Sequence, residues 1–260
     1  MLHSGRATHN ASAESAVAHA PRYVAIVSDG SARWASAHGL STSEGHEAAA
    51  DTVLARIADA RELGIQELTL YAFSTENWGR PRSEVQALLA MLAMRIAKDT
   101  PALSELGIRI QFIGRRDRGG HELALQMEAA EELTVENSSM SVVVAFDYGA
   151  RDEILKAARA FDKGGEAEFR ALLGAPGMHD PDLVIRTSGE QRLSNFLLWQ
   201  AAYSELVFRD ELWPDFSRQA LEESLDVYAS RQRRFGTRVE ADRSLYEPSS
   251  ALVASSSIES

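Results

Sequence analysis

Short apolar runs that alternate with helically spaced stretches constrain this chain more than any other feature. Five runs stand out, at 23–27, 68–73, 108–113, 141–146 and 183–185, and most are rich in Val or Ile. Residues 205–208 form a weaker sixth. Runs this short and this uniformly apolar suit strands buried on both faces. Between them the apolar period becomes helical. Val53, Ile57 and Ala60 share one face of 48–63, and Val85, Leu88, Leu89, Leu92 and Ile96 share one face of 82–98. Further helices are expected at 121–132, 151–161 and 217–235. Strands and helices alternating at these lengths predict an α/β fold. The expectation is a single domain with a mostly parallel central sheet of about six strands, flanked by helices.

That domain is placed at 22–240. Residues 1–21 are rich in Ala, Ser and His and lack the apolar centre of a secretory signal, so they read as a disordered leader. The Ser-rich stretch 241–260 reads as a flexible tail. No run approaches the roughly 18 apolar residues of a membrane span. Cysteine is absent, which excludes disulfides and thiolate metal sites and fits a cytoplasmic location. The net charge of −11 argues against nucleic acid as a partner. Lysine occurs only at Lys98, Lys156 and Lys163, so arginine is the general basic residue and only its placement carries information.

Open parallel sheets bind ligands beyond the carboxyl ends of their strands. Three segments at such ends have related chemistry. The first is Ser28-Asp29-Gly30-Ser31-Ala32-Arg33-Trp34. The second is Ser74-Thr75-Glu76-Asn77-Trp78-Gly79-Arg80-Pro81. The third runs from Arg186 through Thr187, Ser188, Gly189, Glu190, Gln191, Arg192, Leu193 and Ser194 to Asn195 and Phe196. Each joins arginine to small hydroxyl or amide residues. Arginine presents a planar fork of donors that matches phosphate oxygens. Small residues let backbone N–H groups approach, and a helix beginning there adds its positive end. A carboxylate among such cations can hold Mg²⁺, which shares oxygen ligands with phosphates. One such loop reads as solvated arginine beside a capping Asp; three at equivalent positions point to a site for more than one phosphate group. The chain has no P-loop, no dinucleotide fingerprint and no Asp-Asp pair.

The three segments resemble the signature regions of the cis-prenyltransferase family, which includes undecaprenyl diphosphate synthase. The likeness extends from about Tyr23 to Gly236 and also takes in 146–151, 212–216 and 231–236. It implies an enzyme that joins isoprenoid diphosphates with Mg²⁺ as cofactor. Asp29 would hold the metal on an allylic diphosphate, and Glu205 would support the metal or the second-substrate arginines. Gly30, Ser31, Arg33, Trp34 and His46 would bind that diphosphate, and Ser74, Asn77, Trp78 and Arg80 would line the reaction centre. Asp29, Ser74 and Asn77 are the implied catalytic residues, with the proton lost to a diphosphate oxygen or through Asn77 and Ser74. Arg186, Arg192 and Ser194 would bind the second diphosphate, joined by Arg233, across the interface of an expected homodimer. Met91 and Met94 lie on the helix that lines the family's product tunnel, although both also read as core.

The first segment departs from the family pattern. Ser31 stands for the usual Asn, Ala32 for the next residue, Ser28 for Met or Leu, and Thr42 for an expected Arg. The second-substrate segment is intact. That asymmetry implies a specialised enzyme of secondary metabolism with a short product. The first expectation is condensation of dimethylallyl or geranyl diphosphate with isopentenyl diphosphate, head to tail. The alternatives are head-to-middle condensation of two allylic diphosphates, giving a lavandulyl-type skeleton, and a non-catalytic partner subunit. Peripheral membrane contact is expected only for a long product.

Overall fold

The computed structural model describes residues 20–174 and 177–231. Six strands form one sheet: β1 (Tyr23–Val27), β2 (Glu67–Ser74), β3 (Ile108–Gly114), β4 (Met140–Tyr148), β5 (Leu183–Arg186) and β6 (Glu205–Phe208). Their order is β3-β4-β2-β1-β5-β6, and every pairing is parallel. The sheet is therefore wholly rather than mostly parallel. The chain builds outward from β1 in both directions, so strand order reverses there. Val27 pairs with Arg186 at that reversal, where open parallel sheets leave a crevice.

The helices are α1 (Ser31–Ala37), α2 (Thr42–Glu62), α3 (Arg82–Glu105), α4 (His121–Thr134), α5 (Ala150–Ala160), α6 (Glu166–Arg170) and α7 (Arg218–Ser230). Helix α2 starts six residues before the first apolar repeat. Its signal is chemical: Ser41 and Glu44 form a capping box that satisfies free N–H groups of the first turn. Helix α3 continues past Lys98 and through Pro101, which the apolar repeat does not foretell. Helices α1 and α6 are too short to show a period.

Alternate residues of each strand enter different cores. From β1, Val24 and Ile26 join the side packed by α2, α3, α4 and α7. Ala25 and Val27 join the other side, with Ala150 of α5, Met178 and Phe196. The compact unit ends at Ser230. Arg233, the tail at 241–260 and nearly all of the leader at 1–21 lie outside the described residues. No helix among the described residues is long and apolar enough to cross a membrane.

Candidate active site

A cavity of ≈ 700 Å³ opens beside the carboxyl ends of β1, β2 and β5 and runs down between α2, α3 and the sheet. Its mouth is polar and its body apolar. Asp29, Gly30, Ser31 and Arg33 line the mouth from the first segment. His46 comes from α2, Ser74, Asn77 and Arg80 from the second segment, and Arg186, Ser194 and Asn195 from the third. Below them the wall is built from Val53, Leu70, Phe73, Leu92, Val144, Phe146 and other apolar side chains.

Local structure explains why these residues converge. Gly30 caps α1 at φ 111°, a backbone region that disfavours side chains, and a Cβ there would lie 2.8 Å from Leu212. At Gly45 a Cβ would meet the Ser31 carbonyl at 2.6 Å, so glycine lets α2 cross α1 closely and sets His46 at the mouth. Thr187 Oγ1 donates to the Asp29 carbonyl at 2.7 Å and accepts from its N–H at 2.9 Å, tying the β1 loop to the β5 loop.

Arg186 is the electrostatic centre. It is only 4% exposed, and it donates to Asp29 Oδ2 (2.8 Å), Ser194 Oγ (2.7 Å) and the Arg192 carbonyl (2.6 Å). Its Nε has no partner. Arg33 is half exposed, donates to the Ser188 carbonyl at 3.3 Å and stands 3.9 Å from Asp29 Oδ1. Arg33 also stands 3.9 Å from Glu190 Oε1, so the carboxylates of Asp29 and Glu190 partly offset these two arginines. His46 Nε2 is buried without a hydrogen-bond partner, 3.8 Å from Glu84. Burial first, then the Arg80 charge, holds the His46 pKa below its ordinary value, so the ring is mainly neutral at pH 7. Arg80 donates to Glu84 at 3.0 Å. Asn77 Oδ1 accepts from the Ser74 N–H at 2.9 Å, which fixes the short helix Thr75–Gly79.

Four of the expected site residues lie outside the cavity lining. Trp34 does not line the cavity; its Nε1 donates to Asp215 at 2.8 Å and its ring stacks on His38. Trp78 also faces elsewhere, donating to Asp147 Oδ1 at 2.8 Å. The Arg192 side chain is exposed and paired with Glu190, and only its carbonyl reaches Arg186. Glu205 pairs with Leu183, so it opens β6 about 10 Å along the sheet from Arg186. Parallel pairing puts it at the opposite end of the sheet from Asp29 within one protomer. Met94 is exposed, whereas Met91 lines the cavity.

The sequence reading missed three supporting residues. Asp147 is 1% exposed with φ 45°, accepts from Trp78, and forms a two-point ion pair with Arg118 that includes an Nε–Oδ2 bond of 2.7 Å. The Arg118 guanidinium also lies 5.0 Å from the centre of the Trp78 ring. Asn195, at φ 63°, links three loops: it donates to Glu76 at 3.0 Å and accepts from the N–H groups of Arg151 and Ala150. Its only sequence signal is that Asn tolerates positive φ.

A family model described as "Putative undecaprenyl diphosphate synthase" matches residues 27–236, most of the chain and all three segments. The chain belongs to this cis-prenyltransferase family. Isoprenyl transferase 2 of Bradyrhizobium diazoefficiens is 47% identical over 229 residues, covering 84% of this chain and 90% of the relative. Lavandulyl diphosphate synthase of Lavandula x intermedia, solved with dimethylallyl diphosphate, superposes with a TM-score of 0.81. It is 35% identical, over 84% of this chain and 99% of that one. A "probable undecaprenyl diphosphate synthase" from Campylobacter jejuni gives a TM-score of 0.71 at 29% identity, over 83% and 98% of the two chains. The fold and the prenyltransferase class of this cis-prenyltransferase are thereby established.

Proposed function

We propose that this cis-prenyltransferase condenses an allylic diphosphate with a second prenyl diphosphate to give a short-chain product. The carrying observation is one continuous cavity with Asp29, Arg33 and Arg186 at its mouth and an apolar body below. Diphosphates sit at the cationic mouth and the prenyl tail lies in the body. Arg33, half exposed and held only by long contacts to Ser188, Asp29 and Glu190, turns onto an incoming allylic diphosphate and stabilises its charge as it leaves. Arg186, held by three acceptors, is preorganised to orient the second diphosphate. Phe73, Phe146 and Leu70 exclude water from the allylic carbon while it is cationic. Asn77, fixed by Ser74, and neutral His46 face the same space, where a proton must finally be lost. Departing diphosphate oxygens are the nearest strong acceptors once released.

Asp29 is the carboxylate at the first strand end, and no group of three or more acidic or His side chains suited to a metal occurs among the described residues. That donor set fits Mg²⁺, which binds through one or two carboxylates together with substrate phosphates. Bound there, the ion supplies neutralising charge for the leaving diphosphate. A homodimer with Arg233 completing the second site remains part of the proposal, and size-exclusion chromatography with light scattering tests it.

A second reading is head-to-middle joining of two allylic diphosphates. It is favoured by Ser31 in the place of the family's Asn and by the higher TM-score against the lavandulyl synthase. The deciding assay supplies purified protein and Mg²⁺ with dimethylallyl or geranyl diphosphate, with and without isopentenyl diphosphate. Products are dephosphorylated and identified by mass spectrometry. Growth only with isopentenyl diphosphate supports head-to-tail joining. A branched product from allylic substrates alone supports head-to-middle joining. Absence of any new carbon–carbon bond in both reactions overturns the enzymatic proposal in favour of a partner subunit.

A further inference from the structure

The loop that supplies Ser194 is bent in a way that few side chains tolerate. Ser194, Asn195 and Leu197 have φ of 48°, 63° and 44°, all in the left-handed region, and none is glycine. Such backbone persists only where its surroundings over-determine it. This loop also holds Arg186. Two acceptors of the guanidinium, the Arg192 carbonyl and Ser194 Oγ, belong to it. Whatever fixes the loop therefore fixes the arginine.

Asn195 pins one flank, through Glu76 and the start of α5. The other support is Tyr71 of β2. Its ring stacks on the fully buried Phe196, with centroids 4.5 Å apart and 15° between the planes. Its hydroxyl donates to the Tyr148 carbonyl at 3.0 Å and reaches the Ser194 carbonyl at 3.5 Å. An irregularity in the sheet explains how Tyr71 comes to lie there. The register of β2 on β4 shifts between Tyr71 and Phe73. Strict alternation would send both rings to one side of the sheet. Instead Tyr71 packs on the side of Leu193 and Phe196, and Phe73 joins the opposite core. Ser28 Oγ, at the end of β1, donates to the Tyr71 carbonyl at 3.2 Å and steadies the strand. Phenylalanine would supply the same stack, but only a hydroxyl ties the two carbonyls. Burial, then the charge of Glu76, holds the Tyr71 pKa above its ordinary value, so the hydroxyl remains a donor.

We propose that Tyr71 is a positioning residue for the second diphosphate, bracing the strained 194–197 loop so that the loop aims the Arg186 guanidinium. The inference rests on the proposed reading that Arg186 orients that diphosphate. Tyr71 acts through the arginine and not on the reacting atoms. Without its hydroxyl, the Tyr148 and Ser194 carbonyls lose a donor and the left-handed residues relax. The planar fork of Arg186, which must meet phosphate oxygens in direction as well as distance, then turns away. The allylic side is fixed by other contacts, the bonds of Thr187 to Asp29 and the close approach of Gly30 to Leu212. Loss of the brace should therefore separate the two substrates.

The test uses calorimetry with Mg²⁺ on wild type, Tyr71→Phe and Arg186→Lys. The unreactive geranyl thiodiphosphate is titrated first, and isopentenyl diphosphate is then titrated onto the saturated protein. Tyr71→Phe is expected to bind isopentenyl diphosphate more weakly by about 5-fold or more. Its affinity for the geranyl analogue should change by no more than about 2-fold. Arginine side-chain NMR reports the brace without substrate. The Arg186 signal, identified by its loss in Arg186→Lys, should shift in Tyr71→Phe. Wild-type affinity for both ligands in a folded Tyr71→Phe, with isopentenyl diphosphate weakened by Arg186→Lys, overturns the inference. Equal weakening of both ligands overturns it too, because that marks a merely structural role. If Arg186→Lys binds isopentenyl diphosphate as wild type does, the second-diphosphate reading fails instead. A shifted Arg186 signal in Tyr71→Phe then still supports the brace, and an unshifted one overturns it as well. Tyr71→Met, which also lacks a donor, replaces the phenylalanine variant if that one does not fold.

Discussion

Removing Arg118 tests how the second segment is held in place. Asp147 is fully buried and carries φ 45°, so it depends on Arg118 and Trp78 for compensation. Arg118→Met keeps the aliphatic stem and deletes both donors. Breaking a buried ion pair from one side costs about 3–5 kcal/mol. Arg118 is itself 36% exposed, and Trp78 still donates to the abandoned carboxylate, so the lower end applies, about 3 kcal/mol. For a domain of this size each kcal/mol moves Tm by about 2–4 °C, which predicts a fall of about 6–12 °C. Asp147→Asn keeps an acceptor for Trp78 and makes no buried charge, so combining it with Arg118→Met should recover part of the loss. The assay is differential scanning calorimetry, with Trp fluorescence reporting the Trp78 environment. A fall below about 2 °C for Arg118→Met, or a double variant no better than the single, would refute the claim that Arg118 compensates Asp147.

Asp29→Asn retains an oxygen for Arg186 but lowers negative charge at the mouth; turnover should fall about 100-fold or more while Tm changes by only a few degrees. Loss of folding in place of turnover would contradict a catalytic role. Arg186→Lys cannot reproduce three directed bonds from one planar fork, so KM for the second diphosphate should rise about 10-fold or more in steady-state kinetics. For His46 the folded-state pKa is depressed, so the folded protein binds fewer protons than the unfolded chain below about pH 6.5. Its stabilising contribution is present above pH 6.5 and is lost as pH falls through the folded pKa. His46→Asn should therefore flatten that part of a urea-denaturation profile, and an unchanged slope would count against a buried neutral His46.

Much of the architecture was legible in the chain itself. Five of the six strands announce themselves as short β-branched runs, because a strand covered on both faces needs apolar residues at every position. Gly30, Asp29, Arg33 and Arg186 were legible as one cluster, because all lie next to strand ends of a parallel sheet. Start points were less legible, since α2 begins on a hydrogen-bonded cap at Ser41 and Glu44 rather than on its apolar stripe.

Direction was not legible at all. Trp34 and Trp78 sit inside signature segments, but their rings leave the cavity because the Asp215 and Asp147 carboxylates offer their N–H groups partners elsewhere. Nor does the sequence show that parallel register sets Glu205 at the end of the sheet away from Asp29 in the same protomer. Nothing in the sequence singles out Arg95; only the packing of α2 against α3 shows that it lines the cavity. Residue types thus declared the fold class and the polar character of the strand-end loops, because strand burial and loop composition are local properties. Which side chains share the cavity depended on contacts between segments more than a hundred residues apart, such as Asp29 with Arg186, and those exist only once the sheet has assembled.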